Sequence, residues 1–168
     1  SLKNKKLSNN FFPKTNDFIE LKNHKLQFKY NENFISLSGK GLININNNFD
    51  FIDYFFLKQK NEINFDLNID LKNTEFNIES ISYKKNKKTN CKLNVSGSFL
   101  NSKKLILNNI SLNEKNNKIK IVNAEFDENF FLIKIDNGAF DYLDTENKQN
   151  QFLIKRDGNN TYQVNGLF

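Results

Sequence analysis

The sequence is poor in most of the residues on which chemistry depends. It has one cysteine (Cys91), one histidine (His24), one proline (Pro13), one arginine (Arg156), six glycines, and no methionine or tryptophan. A single cysteine excludes an internal disulfide and a cysteine-based zinc cluster. One histidine and one cysteine, without a nucleophile-elbow sequence, leave the familiar serine and cysteine catalytic arrangements without candidates. No run of about 18 apolar residues occurs, so no segment has the length of a membrane-spanning helix. The stretch Ser38-Gly39-Lys40-Gly41 lacks the spacing of a phosphate-binding loop; its glycines fit a bend or a close strand contact. The chain is therefore read as non-enzymatic, with no catalytic residue, metal site or cofactor expected. It opens on Ser1 and stops on Phe168, and it is expected to be one β-rich segment, residues 1–168, of a larger protein.

What is abundant is asparagine, about one residue in five, and lysine, which supplies all but one of the 25 basic residues behind the net charge of +6. A basic chain suggests nucleic acid or acidic membranes as partners. A lysine, asparagine, isoleucine and phenylalanine excess is also what an AT-rich genome imposes on any protein, so the charge alone carries little. The densest basic cluster, Lys84, Lys85, Lys87 and Lys88, reads as a solvated hairpin turn. His24, within Lys22-Asn23-His24-Lys25, reads as a surface residue. Cys91 falls in phase with Leu93 and Val95 and reads as a small buried residue.

The dominant pattern is alternation. From Glu62 to Leu71 the sequence runs EINFDLNIDL, with Ile63, Phe65, Leu67, Ile69 and Leu71 on one face and Glu62, Asn64, Asp66, Asn68 and Asp70 on the other. That is the period of a half-buried strand. Similar runs recur at Leu26 to Tyr30, Ile35 to Ile45, Cys91 to Phe99 and Phe131 to Ile135, giving roughly ten strands at meander spacing. Phe49 to Leu57 is nine residues rich in β-formers and is assigned to a strand over a short helix. Turns are expected at Asn31-Glu32-Asn33, Lys58 to Asn61, Lys84 to Thr89, Asn137-Gly138 and Asp157-Gly158. Residues 1–25, with Pro13, are expected to be loop or edge strand.

In three places the apolar phase slips by one residue: Phe76 and Ile78 give way to Ile81 and Tyr83, Leu105 and Leu107 to Ile110 and Leu112, and Ile119 and Ile121 to Val122, Ala124 and Phe126. Ordinary bulges or short separate strands would absorb such slips. Matched bends in long strands would instead curl the sheet into a trough. The expected fold is all-β: a long antiparallel meander in a strongly curved, β-taco-like sheet with an apolar groove, or the same strands closing as a sandwich. The groove lining is expected from Ile63, Phe65, Leu67, Ile69, Cys91, Leu93, Val95, Leu105 and Leu107.

From about Phe34 onward the order of FISLSGKGLINI, the strand Ile63 to Leu71, LNVSGSF, KLILNNISLNEKNNKIKI and FLIKRDGNNTYQVNG resembles the β-rich segments of AsmA-like envelope proteins, the group that includes TamB-type proteins. The resemblance implies a curved sheet with an apolar concave face, held in the periplasm and tethered to the inner membrane through a region outside this chain. It implies phospholipid acyl chains and neighbouring β-segments of the same full-length chain as partners, and no catalytic residues. A structural spacer or surface, adhesin-like β-repeat is the alternative. A nucleic-acid-binding β-domain is the weaker rival, because most phenylalanines fall in the apolar phase and arginine, the favoured stacking cation, is nearly absent.

Overall fold

Short asparagine-rich turns and alternating strands fold the chain onto itself one strand at a time. The structure is a computed structural model that describes residues 20–101, 103–158 and 161–167; Pro13 and most of the N-terminal stretch lie outside the described residues. Twelve strands follow in order: β1 (Leu21–Tyr30), β2 (Phe34–Ile45), β3 (Asn48–Gln59), β4 (Glu62–Asp70), β5 (Phe76–Ile78), β6 (Tyr83–Lys85), β7 (Cys91–Leu100), β8 (Lys104–Glu114), β9 (Asn117–Phe126), β10 (Leu132–Leu143), β11 (Gln149–Arg156) and β12 (Tyr162–Leu167). Ten of them form one antiparallel sheet in the order β1-β2-β3-β4-β7-β8-β9-β10-β11-β12. The other two, β5 and β6, pair as a small hairpin around a 3₁₀ turn at Glu79–Ile81. The sheet is not closed into a barrel, and among the described residues no second large sheet makes a sandwich.

The turns follow from residue type. Asn46 and Asn47 join β2 to β3 with φ of 50° and 61°, the pair of left-handed residues that a two-residue hairpin of matching twist requires. Asn31 closes β1–β2 as an Asx turn, its Oδ1 accepting from the Asn33 and Phe34 amides at 2.8 and 2.9 Å. Asp144 does the same between β10 and β11 for Glu146 and Lys148. Asp157-Gly158 stands between β11 and β12 as expected, with Gly158 at φ 83°.

Two expectations are corrected. Asn137-Gly138 is no turn: it runs through the middle of β10, where Gly138 pairs with Ile121 on one side and Ile154 on the other. Flanking strands hold the dipeptide extended because each has its own ladder to satisfy. The break expected from Lys84 to Thr89 begins inside β6. Of the N-terminal stretch, Leu21 onward belongs to the edge strand β1.

The phase slips have local causes. Phe76 and Tyr83 belong to separate short strands. In β8, Asn108 is an extra residue: Ser96 pairs with Asn109 but Gly97 pairs with Leu107. That is a bulge, and it returns Leu105 and Leu107 to the face that carries Ile110 and Leu112. At the same level in β9, Asn123 has φ 53° and drops out of the ladders on both sides. Gly97 is required opposite the bulge, because a Cβ there would collide with the Ile106 carbonyl oxygen. Gly97→Ala is expected to lower stability by about 1–3 kcal/mol, measured by urea unfolding; unchanged stability would mean that the strand relaxes around the added methyl.

Candidate functional site: an apolar face capped at one end

Residues directly opposite in an antiparallel pair project to the same side of the sheet, so the register shows which side chains share a face. Ile63 pairs with Phe99, which pairs with Leu105, which pairs with Phe126. The next row is Phe65, Gly97, Leu107 and Ala124, the next Leu67, Val95, Ile110 and Ile121, and the next Ile69, Leu93, Leu112 and Ile119. Cys91 lies one step further, opposite Glu114. All nine residues singled out in the sequence therefore share one face. The same pairing extends it through Ile52, Tyr54 and Phe56 on β3, Leu26, Phe28 and Tyr30 on β1, and Phe140 and Phe152 on β10 and β11. The opposite face of β4 carries Asp66, Asn68 and Asp70, all exposed, with Asn64 half-buried.

The apolar face is covered unequally. The chain between β4 and β7 does not turn tightly; it carries β5, the 3₁₀ turn and β6, and these pack on one end of the face. Tyr83, from β6, is fully buried against Leu71, Cys91, Leu112, Ile119, Phe140, Tyr142 and Phe152. Phe76 and Tyr83 rings stand 6.1 Å apart, and Tyr83 meets Tyr142 edge-on at 5.9 Å. Beyond this cap, Ile63, Phe65, Leu67, Val95, Leu105 and Leu107 are only half-buried. At the β1 edge, Leu26, Phe28 and Tyr30 are about two-thirds exposed, at 64%, 64% and 69%. Of the nine residues, Cys91 lies beneath the cap, Ile69 and Leu93 border it, and six line the uncovered half.

Polar groups pin the cap. The Asp50 carboxylate, 2% exposed, accepts from the Asn73 and Thr74 amides at 2.7 and 2.9 Å. The Tyr83 hydroxyl donates to Glu114 Oε2 at 2.6 Å, and Asn117 Nδ2 donates to the same oxygen at 2.9 Å. Tyr142 donates to the Ile81 carbonyl at 2.8 Å. Lys85 is the largest departure from expectation. Rather than forming a solvated turn with its neighbours it is completely buried, donating to the Thr74 and Lys72 carbonyls at 2.7 and 3.1 Å. Satisfied hydrogen bonds and the nearby charges of Asp50 and Glu114 make that burial tolerable. His24 is corrected as well. It is a half-buried β1 residue, its Nε2 2.9 Å from the Leu42 carbonyl oxygen and its Nδ1 3.3 Å from the Tyr54 hydroxyl.

No family model, curated protein or solved structure matches this chain. Among the described residues no group of three or more His, Cys, Asp or Glu side chains is placed to hold a metal ion, and no helix is long and apolar enough to cross a membrane.

The cap escaped the sequence reading because Phe76, Ile78 and Tyr83 look like any other alternating run. The signal that could have found it is length, since the 20 residues from Leu71 to Asn90 are far more than a hairpin turn needs.

Burial also sets the pH response of the cap. It lowers the Lys85 pKa, raises that of the Cys91 thiol to about 12 with help from the Glu114 charge, and raises that of the Tyr83 phenol. A raised acid favours the folded state until the unfolded chain ionises, so Cys91 and Tyr83 lower stability as pH climbs past their ordinary values. A depressed lysine works the other way, and stability rises with pH until its ordinary value near 10.4. The terms oppose each other between about pH 9 and 10.4, and above that window each buried acid lowers stability by about 1.4 kcal/mol per pH unit. Unfolding measured across this range should show a steep alkaline loss, made shallower by Cys91→Val. An equally steep loss in that variant would remove the thiol from the account.

Proposed function

We propose that this chain is a non-enzymatic lipid-handling segment of an AsmA-like envelope protein, binding or conducting phospholipid acyl chains along its apolar face between inner and outer membrane. The observation that carries the reading is the unbroken apolar face that is capped at one end and half-open elsewhere. A sheet apolar on one side must cover that side with protein, a partner or lipid. Here the cap covers one end and leaves Ile63, Phe65, Leu67, Val95, Leu105 and Leu107 for another occupant. Each acyl chain laid on them gains about 25 cal/mol per Å² of apolar surface withdrawn from water. A sliding chain needs little polar recognition, in keeping with a face whose polar groups beyond the cap stand at its margins, Lys58 near the end of β3 and His24 on the edge strand. The aligned irregularities at Asn108 and Asn123 support a bent sheet in which this face becomes a groove. On this reading the segment works in the periplasm, tethered to the inner membrane through a region outside this chain, with further β-segments beside it.

The rival readings have weaker support. Two exposed aromatics of the opposite face, Phe51 and Phe55, pair with Asp70 and Asp66, and carboxylates repel the phosphates of a stacked nucleic acid. A spacer or adhesin-like repeat needs no open apolar surface.

The full 168-residue chain, offered a phospholipid bearing a fluorescent acyl chain, should take it up. Leu67→Lys, on the uncovered half, should lose uptake and keep its fold, because the ammonium reaches water when lipid is absent. Leu112→Asp, beneath the cap, should unfold the chain, because an unpaired charge buried there costs several kcal/mol. Uptake that survives Leu67→Lys, or no uptake at all, would leave the spacer reading in its place. Tight, salt-resistant binding of single-stranded RNA would favour the nucleic-acid reading instead.

A further inference from the structure

The other face of the sheet holds a groove of its own, across β8 to β12, with a volume of about 680 Å³. That falls within the roughly 300–1,000 Å³ of small-molecule sites. The register explains the hollow. Lys120 pairs with Ala139 and Ala139 with Leu153, so a methyl stands between two long side chains. In the next row Lys118 pairs with Asp141, and Leu167 closes the groove on β12.

Two features of the lining point to a ligand. Leu153 and Leu167 are 57% and 75% exposed, an apolar strip among the polar side chains of Lys118, Lys120, Asp141 and Gln151. Beside it, Lys118 and Lys120 lie two residues apart on one strand, and among the described residues neither ammonium has a hydrogen-bond or ion-pair partner. Asp141, the nearest carboxylate by register, accepts instead from Gln149 Nε2 at 2.5 Å. The groove thus offers two ammonium groups without an ion-pair partner against the single carboxylate of Asp141, an excess of one positive charge at one end of a short apolar track.

We propose that this groove binds a single-chain anionic amphiphile, a fatty carboxylate, with its head between Lys118 and Lys120 and its tail over Ala139, Leu153 and Leu167. A neutral lipid would leave the excess positive charge of the lining without a counter-charge. A nucleic-acid strand would need a longer run of cations to follow its phosphates. An added peptide strand needs a free backbone edge, whereas β9, β10 and β11 are paired on both sides. The site is separate from the apolar face of the preceding section and stands or falls without it.

Calorimetric titration of the full chain with dodecanoate, kept below its micelle concentration, and with dodecanol as the uncharged match separates the possibilities. Dodecanoate should bind about tenfold or more tightly than dodecanol, a preference of about 1.4 kcal/mol, and should weaken as salt is raised. The double variant Lys118→Gln with Lys120→Gln should abolish the preference with an unchanged far-ultraviolet circular dichroism spectrum. Ala139→Phe should fill the hollow and weaken both ligands, while Leu67→Lys, on the opposite face, should change neither. Equal affinity for the two ligands, no binding, a double variant that behaves like the parent, or sensitivity to Leu67→Lys would each overturn the proposal.

Discussion

A single antiparallel sheet has two faces, and among the described residues only the 20 between β4 and β7 lie outside the large sheet in a stretch long enough to cover one of them. Everything else in the described structure follows from that shortage. Ten strands alternate closely enough to gather their apolar side chains on one side, where the hydrophobic effect demands a cover. The cover supplied reaches only the end at which Leu71, Leu112, Phe140 and Tyr142 meet. The rest of the face stays half-buried or, at the β1 edge, exposed, an arrangement that a sandwich avoids with a second sheet and a barrel by closing on itself.

The cap is held by polar anchors as well as by apolar contact. Asp50 reaches from β3 to the first turn of the cap, Glu114 from the end of β8 to Tyr83, and Tyr142 from β10 to Ile81. Three separate strands therefore each hold one point of the hairpin, and Lys85 ties its interior to the Lys72 and Thr74 carbonyls. Hydrogen bonds of this kind are directional where apolar packing is not, so they set where the hairpin lies as well as that it lies there. A fully buried lysine is costly to desolvate, and its presence is consistent with positioning being the need that this network meets.

Most of the sheet was legible in the sequence because its determinants are local. The run from Glu62 to Leu71 fixes both a strand and its faces, and Asn31 and Asp157-Gly158 announce their turns by residue type. The choice of strand for Phe49 to Leu57 also follows from local propensity. What was not legible is carried by distant partners. Asn137-Gly138 has the composition of a turn, yet two neighbouring ladders draw it straight, and the Phe140 ring lies where a Cβ on Gly138 would stand. Lys85 looks like one lysine of four until Thr74 and Lys72 are placed around it. The contact between Tyr142 and Ile81 spans 61 residues, beyond the reach of any local pattern. The shared face of the nine expected residues could be read from their alternation. The division between capped and open halves could not, because it depends on where the hairpin lands.

The strand order has a kinetic consequence. Every neighbour in the large sheet is also the next large-sheet strand along the chain, so all but one of its pairings close across a short connection. The exception is β4 with β7, which must wait for the 20-residue excursion to be spanned. Loop-closure entropy grows by only about 0.6 kcal/mol for each doubling of length, so that join costs about 2 kcal/mol more than a two-residue hairpin. Assembly can then proceed from two meanders, β1 to β4 and β7 to β12, each able to zip from its own turns. The cap residues, which touch β3, β8 and β10, have their full set of contacts only when both are in place. The contacts that depend on both meanders are thus the ones that decide how much of the apolar surface stays uncovered.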